Sequence, residues 1–450
     1  MRRRDWLKLC GLLALHPVAS AQTAPGSAGR VIVVGAGMSG LAAARELKRA
    51  GYAVVVLEAR ERVGGRIHTS RAWKDAPMDL GASWIHETDG NPITTLAREA
   101  GARTVETSYD SSIGYGRSGK PFTRAERERL EALQAQIEEV IEEAQEADTD
   151  QPLQAAVEAG LDWKELAPGD RALAELLLNS TIEHEYAGST REMSTWWWDD
   201  DGGFDGGDVL FPDGFGALTD FLARGLDVRT GQVVERIEHA ADGVRVHAGG
   251  QTLRADHAVV SVPLGVLKAG AIEFAPALPP AKRRALDGLA MGVLNKCFLR
   301  FPQAFWPTGV DWIERVPERR GEWTEWVSFV RAAGKPVLLG FNAADYGRRI
   351  ETLGDREIVS AAMRALRSLY GADIPDPSAH QITRWASDPY SLGSYSFNPF
   401  GSDPKMRDDL AASVGGRLHF AGEATTRKHF ATTHGAYLSG LRAARAVIDG

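Results

Sequence analysis

An apolar, β-branched run at residues 31–34 opens the patterned part of the chain. It is followed by Gly35-Ala36-Gly37-Met38-Ser39-Gly40, a helical stretch at 41–49, a stop at Gly51 and a second apolar run at 53–57. Short strands that are apolar on every residue suit a parallel sheet covered on both faces. The order strand, glycine turn, helix, strand therefore predicts a βαβ unit. Within its turn the first glycine permits the tight bend, the second lets backbone approach a pyrophosphate, and the third lets helix and strand pack closely. The helix start faces that phosphate with free amides and the positive end of its dipole. Glu58 ends the second strand, where a carboxylate can accept hydrogen bonds from an adenosine ribose. Gly35, Gly37, Met38, Ser39, Gly40, Glu58 and Ala59 are thus the candidate dinucleotide cradle.

Further along, the period changes. Over residues 123–148, Leu130, Leu133, Ile137, Val140, Ile141 and Ala144 recur at helical spacing, and Thr123-Arg124-Ala125-Glu126 offers a capping box. The glutamates of this helix fall mostly elsewhere and read as a solvated face. A second helical region spans roughly 172–185. Residues 233–238, 244–248 and 252–254 read as a three-strand meander with tight turns at Asp242-Gly243 and Gly249-Gly250, ahead of a return strand at 257–262. Residues 291–301 alternate as a strand, which places Lys296 on the face of Leu294 and Phe298. A lysine between two large apolar residues either snorkels at an edge or is buried with a purpose. Trp196-Trp197-Trp198 cannot share one face of a regular element and reads as a set of packing anchors in a loop between domains.

Composition narrows the class. The chain has 450 residues, 44% hydrophobic and 25% charged, which leaves room for two domains and excludes disordered or fibrous classes. A formal net charge of −8 argues against nucleic acid as a partner and suits a cationic one. No apolar run reaches the roughly 18 residues that cross a bilayer, so no permanent membrane association is expected. Oligomeric state leaves no mark on the pattern. Residues 1–21 read as an export signal: Arg2-Arg3-Arg4, an apolar stretch at 9–15, and Ala19-Ser20-Ala21 before Gln22. The competing reading is a frayed amphipathic start. Cys10 lies in that segment, which leaves only Cys297, so the mature chain has no internal disulfide.

Several motifs carry a resemblance. Arg60-Glu61-Arg62-Val63-Gly64-Gly65-Arg66 resembles the RxGGR motif of the flavin amine oxidases, in which the glycines and arginine meet the pyrophosphate and ribityl region of FAD. Gly81-Ala82-Ser83-Trp84-Ile85-His86 resembles the segment that runs beside the isoalloxazine in their polyamine-oxidising branch. Phe211-Pro212-Asp213-Gly214-Phe215-Gly216, Leu294-Asn295-Lys296, Arg384-Trp385, and His419 through Arg445 with its Ala-Thr-Thr-His-Gly run match as well. Residues 3–8 resemble a twin-arginine export signal.

The resemblance implies an α/β fold: a glutathione-reductase-type Rossmann FAD domain (30–85, 205–275 and 400–450) with an α+β substrate-binding domain (86–204 and 276–399). It implies Arg60, Gly65, Arg66, Gly81, Ala82, Ser83, Trp84, Val234, Trp385, Gly422, Glu423 and Thr432 at the cofactor. Lys296 would hold a water at flavin N5, Tyr395 and Thr432 would face the ring, and Glu185 and Glu183 would hold distal ammonium groups. His86 would bind or orient substrate amines, against the plainer reading of a loop histidine bonded to backbone. The expected activity is oxidation of a polyamine C–N bond with O2 reduced to H2O2, on FAD held non-covalently, without a metal, in a periplasmic or secreted protein. An L-amino acid oxidase, an amine dehydrogenase and a flavin-containing scaffold protein are the alternatives.

Overall fold

The computed structural model of the protein describes residues 28–200 and 202–450. The expected export segment, with Cys10 in it, lies outside the described residues.

The apolar runs become a five-stranded parallel sheet in the order Leu418–Phe420, His257–Val260, Arg30–Val34, Ala53–Leu57, Asp227–Arg229. Arg30–Val34 is central, and its Val33 pairs with Val259 on one side and Val56 on the other. Helix Met38–Arg49 covers one face through the buried Leu41, Ala43, Ala44 and Leu47. Beside it lies the C-terminal helix Thr433–Ile448, where a Cβ on Gly440 would strike the Ser39 carbonyl oxygen. On the other face sits the expected meander, Val234–Ala240, Gly243–Ala248 and Gln251–Ala255, with positive φ at both Gly249 and Gly250 in its second turn. A short strand, Glu273–Ala275, adds to it in parallel and was not evident from the pattern.

A second, six-stranded sheet runs Ala379–Ile382, Leu294–Arg300, Val337–Ala343, Glu325–Ser328, Trp312–Arg315, Ser112–Tyr115. Helix Arg124–Glu146 has its reciprocal cap: Glu126 N donates to Thr123 Oγ1 at 3.2 Å, and Thr123 N to the Glu126 carboxylate at 2.7 Å. It buries Leu133, Ile137, Ile141 and Ala144. The region expected as one helix over 172–185 is instead Pro168–Leu177, a π-turn at Leu178–Glu183, and a last turn His184–Tyr186. The tryptophans anchor as expected, with Trp196 Nε1 donating to the Ala147 carbonyl at 3.0 Å and Trp198 edge-on to Tyr186.

The expected domain limits need two corrections. Helix Pro92–Ala100 packs Ile93, Leu96 and Ala97 into the core that holds Leu41 and Phe215, so residues 86–102 belong with the first sheet. Leu278, Ala285, Leu286 and Met291 share a core with Val34 and Val260, so residues 276–291 do too. Both are amphipathic segments, and amphipathicity says that a face is buried without saying against which sheet. Among the described residues, no helix is long and apolar enough to cross a membrane.

Leu41 is fully buried between helix and sheet. Leu41→Ala is expected to cost about 2–5 kcal/mol and lower the thermal unfolding midpoint. The control, Leu438→Ala at a 36% exposed position, should leave the midpoint close to wild type.

Candidate active site

The strand ends of the first sheet and one face of the second enclose a cavity of about 600 Å³. Its first wall is backbone. Gly35 has φ +103°, and a Cβ on Gly40 would strike the Gly35 carbonyl oxygen. Gly64 N donates to the Ala36 carbonyl at 2.8 Å, which lays the second glycine turn on the first. Gly81 leaves no room for a Cβ against the Arg66 carbonyl oxygen. Glu58 is buried at the end of its strand, accepting from Ala36 N at 2.7 Å and Arg60 N at 2.9 Å. Gly37, Met38, Ser39, Ala59, Gly65, Ala82, Ser83, Trp84 and Val234 also line this wall, as the sequence implied.

The three arginines of the second motif part company. Arg66 Nη1 donates to the Ser394 carbonyl and to Glu423 Oε1, both at 2.8 Å. Arg62, which the sequence reading passed over, donates to the carbonyls of Val63, Gly65 and Ile67 and braces the turn from within; burial lowers its pKa to about 10. Arg60 lines the cavity too. Its fork is bidentate to Asp388 at 2.8 and 2.7 Å and also meets Ser391, so the guanidinium ties two chain segments together at the cavity edge.

Glu423 lines the cavity but is committed to the protein. Besides Arg66 it accepts from Ser396 Oγ at 2.6 Å and Ala431 N at 3.0 Å. Burial pushes its carboxyl up, yet Arg66 and these donors hold it below its ordinary value, and so ionised. Gly422 before it has φ +125° and donates N–H to Ser439 Oγ. Trp385 Nε1 donates to the Leu80 carbonyl at 3.2 Å. Thr432 faces the cavity as the N-cap of the last helix, accepting from Gly435 N and donating to the His429 carbonyl, both at 2.9 Å.

The second wall is made of side chains. Lys296, on the second strand of its six-stranded sheet, is 5% exposed and does not snorkel. Its Nζ donates to the carbonyls of Asp79 at 3.1 Å and Gly81 at 2.6 Å and to Ser83 Oγ at 2.5 Å, tying the second sheet to the segment 79–83. Burial drives the Lys296 ammonium down and the Asp79 carboxyl up, each shift partly offset by the other's charge. Tyr395 donates its hydroxyl to the His184 carbonyl at 2.7 Å, and burial keeps the phenol protonated. Trp84, Trp312 and Phe341 form an aromatic cluster, with centroids 5.9 Å apart for Trp84 and Trp312, 6.2 Å for Trp312 and Phe341 and 6.3 Å for Trp84 and Phe341. Tyr109 stacks on Trp312 at 4.4 Å.

The acidic and imidazole groups sort by partner. Glu185 lines the cavity at an exposed position. Glu183 does not line it. Its carboxylate takes Arg320 and Asn179 at 2.8 Å each and Thr190 N at 3.1 Å, because the π-turn directs it into the protein. His86 bonds Asp208 through Nδ1 at 2.9 Å, a side-chain partner in place of the backbone one that the plainer reading supposed. Burial alone would lower the His86 pKa, but Asp208 and then Glu185 outweigh it and the net shift is upward from 6.5. His184, hydrogen-bonded through Nδ1 to Glu325, was missed. Its signal in the sequence was a glutamate, Glu325, at the start of the short strand that ends at Ser328 and is buried at every position.

A parallel sheet with a glycine-lined nucleotide cradle, set against a side-chain wall of a second sheet, defines a dinucleotide-dependent oxidoreductase. The chain belongs to the flavin containing amine oxidoreductases, a family that matches it over residues 38–448. A lysine-specific histone demethylase 1 homolog 3 of Oryza sativa subsp. indica is 37% identical over 92% of this chain and 53% of its own length. Polyamine oxidase 4 of Oryza sativa subsp. japonica is 34% identical over 97% of this chain and 91% of its own. Among solved structures, a redesigned double mutant of putrescine oxidase superposes with a TM-score of 0.77, covering 94% of this chain and 99% of that one at 20% identity, a likeness of fold. The chain spans about half the length of the demethylase relatives. The residues present fit the family's flavin: Gly37 and Gly422 line the cavity where a Cβ would stand in nearly open space, Glu58 stands at the strand end, and an aromatic-walled cavity adjoins them.

A raised histidine pKa means that the charged His86–Asp208 pair contributes stability in full below about 6.5 and loses it as pH rises through the folded value. Asp208→Asn should move the His86 titration down relative to wild type, read from imidazole resonances against pH. An unmoved titration contradicts the assigned pairing.

Proposed function

We propose that this chain is a polyamine oxidase that holds FAD non-covalently. The observation that carries the reading is the second wall, where carboxylates Glu185 and Glu325 share one cavity with the Trp84, Trp312 and Phe341 cluster and with Tyr395. Carboxylates and aromatic faces are the two surfaces that attract an alkylammonium chain. The named polyamine oxidase relative, matched over nearly its whole length, supports the same substrate class.

The reaction is RCH2–NHR′ + O2 + H2O giving RCHO + H2NR′ + H2O2. When bound, the flavin supplies the redox chemistry, taking hydride equivalents from the carbon beside the nitrogen and passing electrons to O2. The chain's own groups do the rest. The first glycine turn and the helix start at Met38 receive the diphosphate, and Glu58 receives the ribose. Lys296, its ammonium destabilised by burial, moves or holds a proton at Nζ between the Ser83 hydroxyl and the cavity. Tyr395 presents a neutral ring to the amine, and the acids take the charged end. Cys297 is buried in the second sheet away from the cavity lining, with burial pushing its thiol up, which supports a non-covalent cofactor. Residues 3–8 support export of the loaded enzyme to the periplasm or medium.

A second reading, oxidation of an N-methylated lysine side chain, draws on the 37% identical demethylase relative. One panel separates them: peroxide release with spermine, spermidine, 1,4-diaminobutane, acetylated polyamines, amino acids and an N-methyl-lysine peptide. Polyamines are expected to lead the panel. Turnover of the peptide alone, or of amino acids alone, contradicts the proposal. In the same assay Lys296→Met should keep its visible flavin absorbance and lose about 100-fold in rate; an unchanged rate removes the role given to Lys296.

A further inference from the structure

The face of the second sheet that carries Cys297 is turned away from the cavity, and two helices cover it. Helix Asp355–Tyr370 buries Ile358, Ala362 and Leu366 in the core that holds Cys297 and Leu338, and helix Ala344–Ile350 adds Ile350 to the same core. Their outward residues, with the turn at Gly321, enclose a cleft of about 360 Å³. No residue of this cleft lines the flavin cavity.

Four guanidiniums line the cleft from three segments: Arg319 on the turn, Arg349 on the shorter helix, and Arg356 and Arg364 on the longer one, all at exposed positions. Arg356, Ser360 and Arg364 are spaced by four, so the two arginines flank a hydroxyl along one side of the helix, about 12 Å from end to end. Among the described residues, none of the four arginines makes an ion pair or a side-chain hydrogen bond. Neighbouring arginines are committed: Arg320 to Glu183, Arg367 to Asp376, Arg384 to Asp355, and Arg348 to the Met291 carbonyl.

The cleft also holds two carboxylates, and both are taken by other groups. Glu357 accepts from Gly354 N at 2.9 Å as part of the helix cap, and Glu322 accepts from the Tyr346 hydroxyl at 3.3 Å. Four arginines against two glutamates leave a formal excess of positive charge at this place, in a chain whose formal net charge is −8. Like charges gathered in one concavity repel, and they raise the local concentration of anions.

A single exposed arginine is ordinary, but four forks converging on one cleft are a preset array of paired donors. The planar guanidinium meets phosphate oxygens two at a time. One phosphate cannot reach forks spread along about 12 Å of helix, whereas a short chain of linked phosphates can. A long polyanion fits less well, because the exposed Asp355 and Glu357 stand at the start of the same helix and bound the positive zone. Tyr346 is half-buried and tied to Glu322, so the cleft offers more to phosphate groups than to a base.

We infer that this cleft is a second binding site, for a short oligophosphate, with Arg319, Arg349, Arg356 and Arg364 as its donors. The inference goes beyond the oxidase reading and does not depend on it. Inorganic oligophosphate and the phosphate chain of a nucleotide share the chemistry that the cleft recognises.

The test is equilibrium dialysis of the flavin-loaded protein against inorganic triphosphate, adenosine triphosphate and sulfate, at one ionic strength. Triphosphate is expected to bind at one site per chain, at least about 10-fold more tightly than sulfate. Adenosine triphosphate that binds as tightly as triphosphate assigns the site to the phosphate chain itself, and tighter binding assigns it to a nucleotide; either supports an oligophosphate site. Arg349→Gln and Arg356→Gln should each weaken triphosphate by about 10-fold. Arg356→Lys, which keeps the charge and loses the fork, should fall between wild type and Arg356→Gln. Arg224→Gln, at an exposed position beside the first sheet, should stay close to wild type. No uptake of triphosphate, equal affinity for sulfate, or equal weakening by Arg224→Gln overturns the inference. Peroxide release from amines is read separately, and its absence bears on the oxidase reading alone.

Discussion

A carboxylate buried at the end of the C-terminal strand has to be answered by charge and hydrogen bonds, and in this protein that requirement closes the chain. Glu423 is 4% exposed and meets Arg66 across 357 residues of sequence. Desolvating each ion costs several kcal/mol unless the pair is well made, so the surroundings are recruited to complete it. Ser396 Oγ and Ala431 N donate to the same carboxylate, and Ser394 offers its carbonyl to Arg66. The fully buried Arg407 donates to Ser396 Oγ from behind. The second glycine turn, the strand that ends at Phe420 and the segment around Ser394 are thereby fixed to one point, which is the floor of the cavity.

From that point the two walls divide the work. The nucleotide wall is made by leaving side chains out: Gly35, Gly40, Gly64 and Gly81 allow backbone to run close to backbone. The substrate wall is made by putting side chains in, on the flat face of the second sheet, where Lys296, Phe341 and Glu325 stand in a row. Lys296 bridges the walls through the carbonyls of Asp79 and Gly81. The cradle is thus built of backbone and the opposite wall of side chains, which would let substrate preference change without disturbing the cradle.

What the sequence disclosed follows the range of the rule behind it. Glycine spacing, strand alternation and a capping box are local, so the βαβ unit, the meander, the capped helix and the place of Lys296 were all legible. The bond from Arg60 to Asp388 was not legible, because the two lie 328 residues apart and no local pattern ties them. Glu183 and Glu185 are two residues apart in a segment that looked regularly helical, and only the π-turn decides which of them reaches the cavity. Glu325 stayed hidden for the complementary reason. A lone acid in a buried strand is informative only once the strand's neighbours are known, and its histidine partner is 141 residues distant. The boundary errors at 86–102 and 276–291 have the same origin, since an apolar face does not name the core it joins.

We propose that the glycine cradle and the Arg66–Glu423 floor seat an intact flavin adenine dinucleotide without a covalent bond. Acid precipitation of the purified holoenzyme, with mass analysis of the supernatant, tests this directly. Colourless protein and free FAD in solution are expected. A flavin that stays with the precipitate, or release of a mononucleotide in its place, would contradict it.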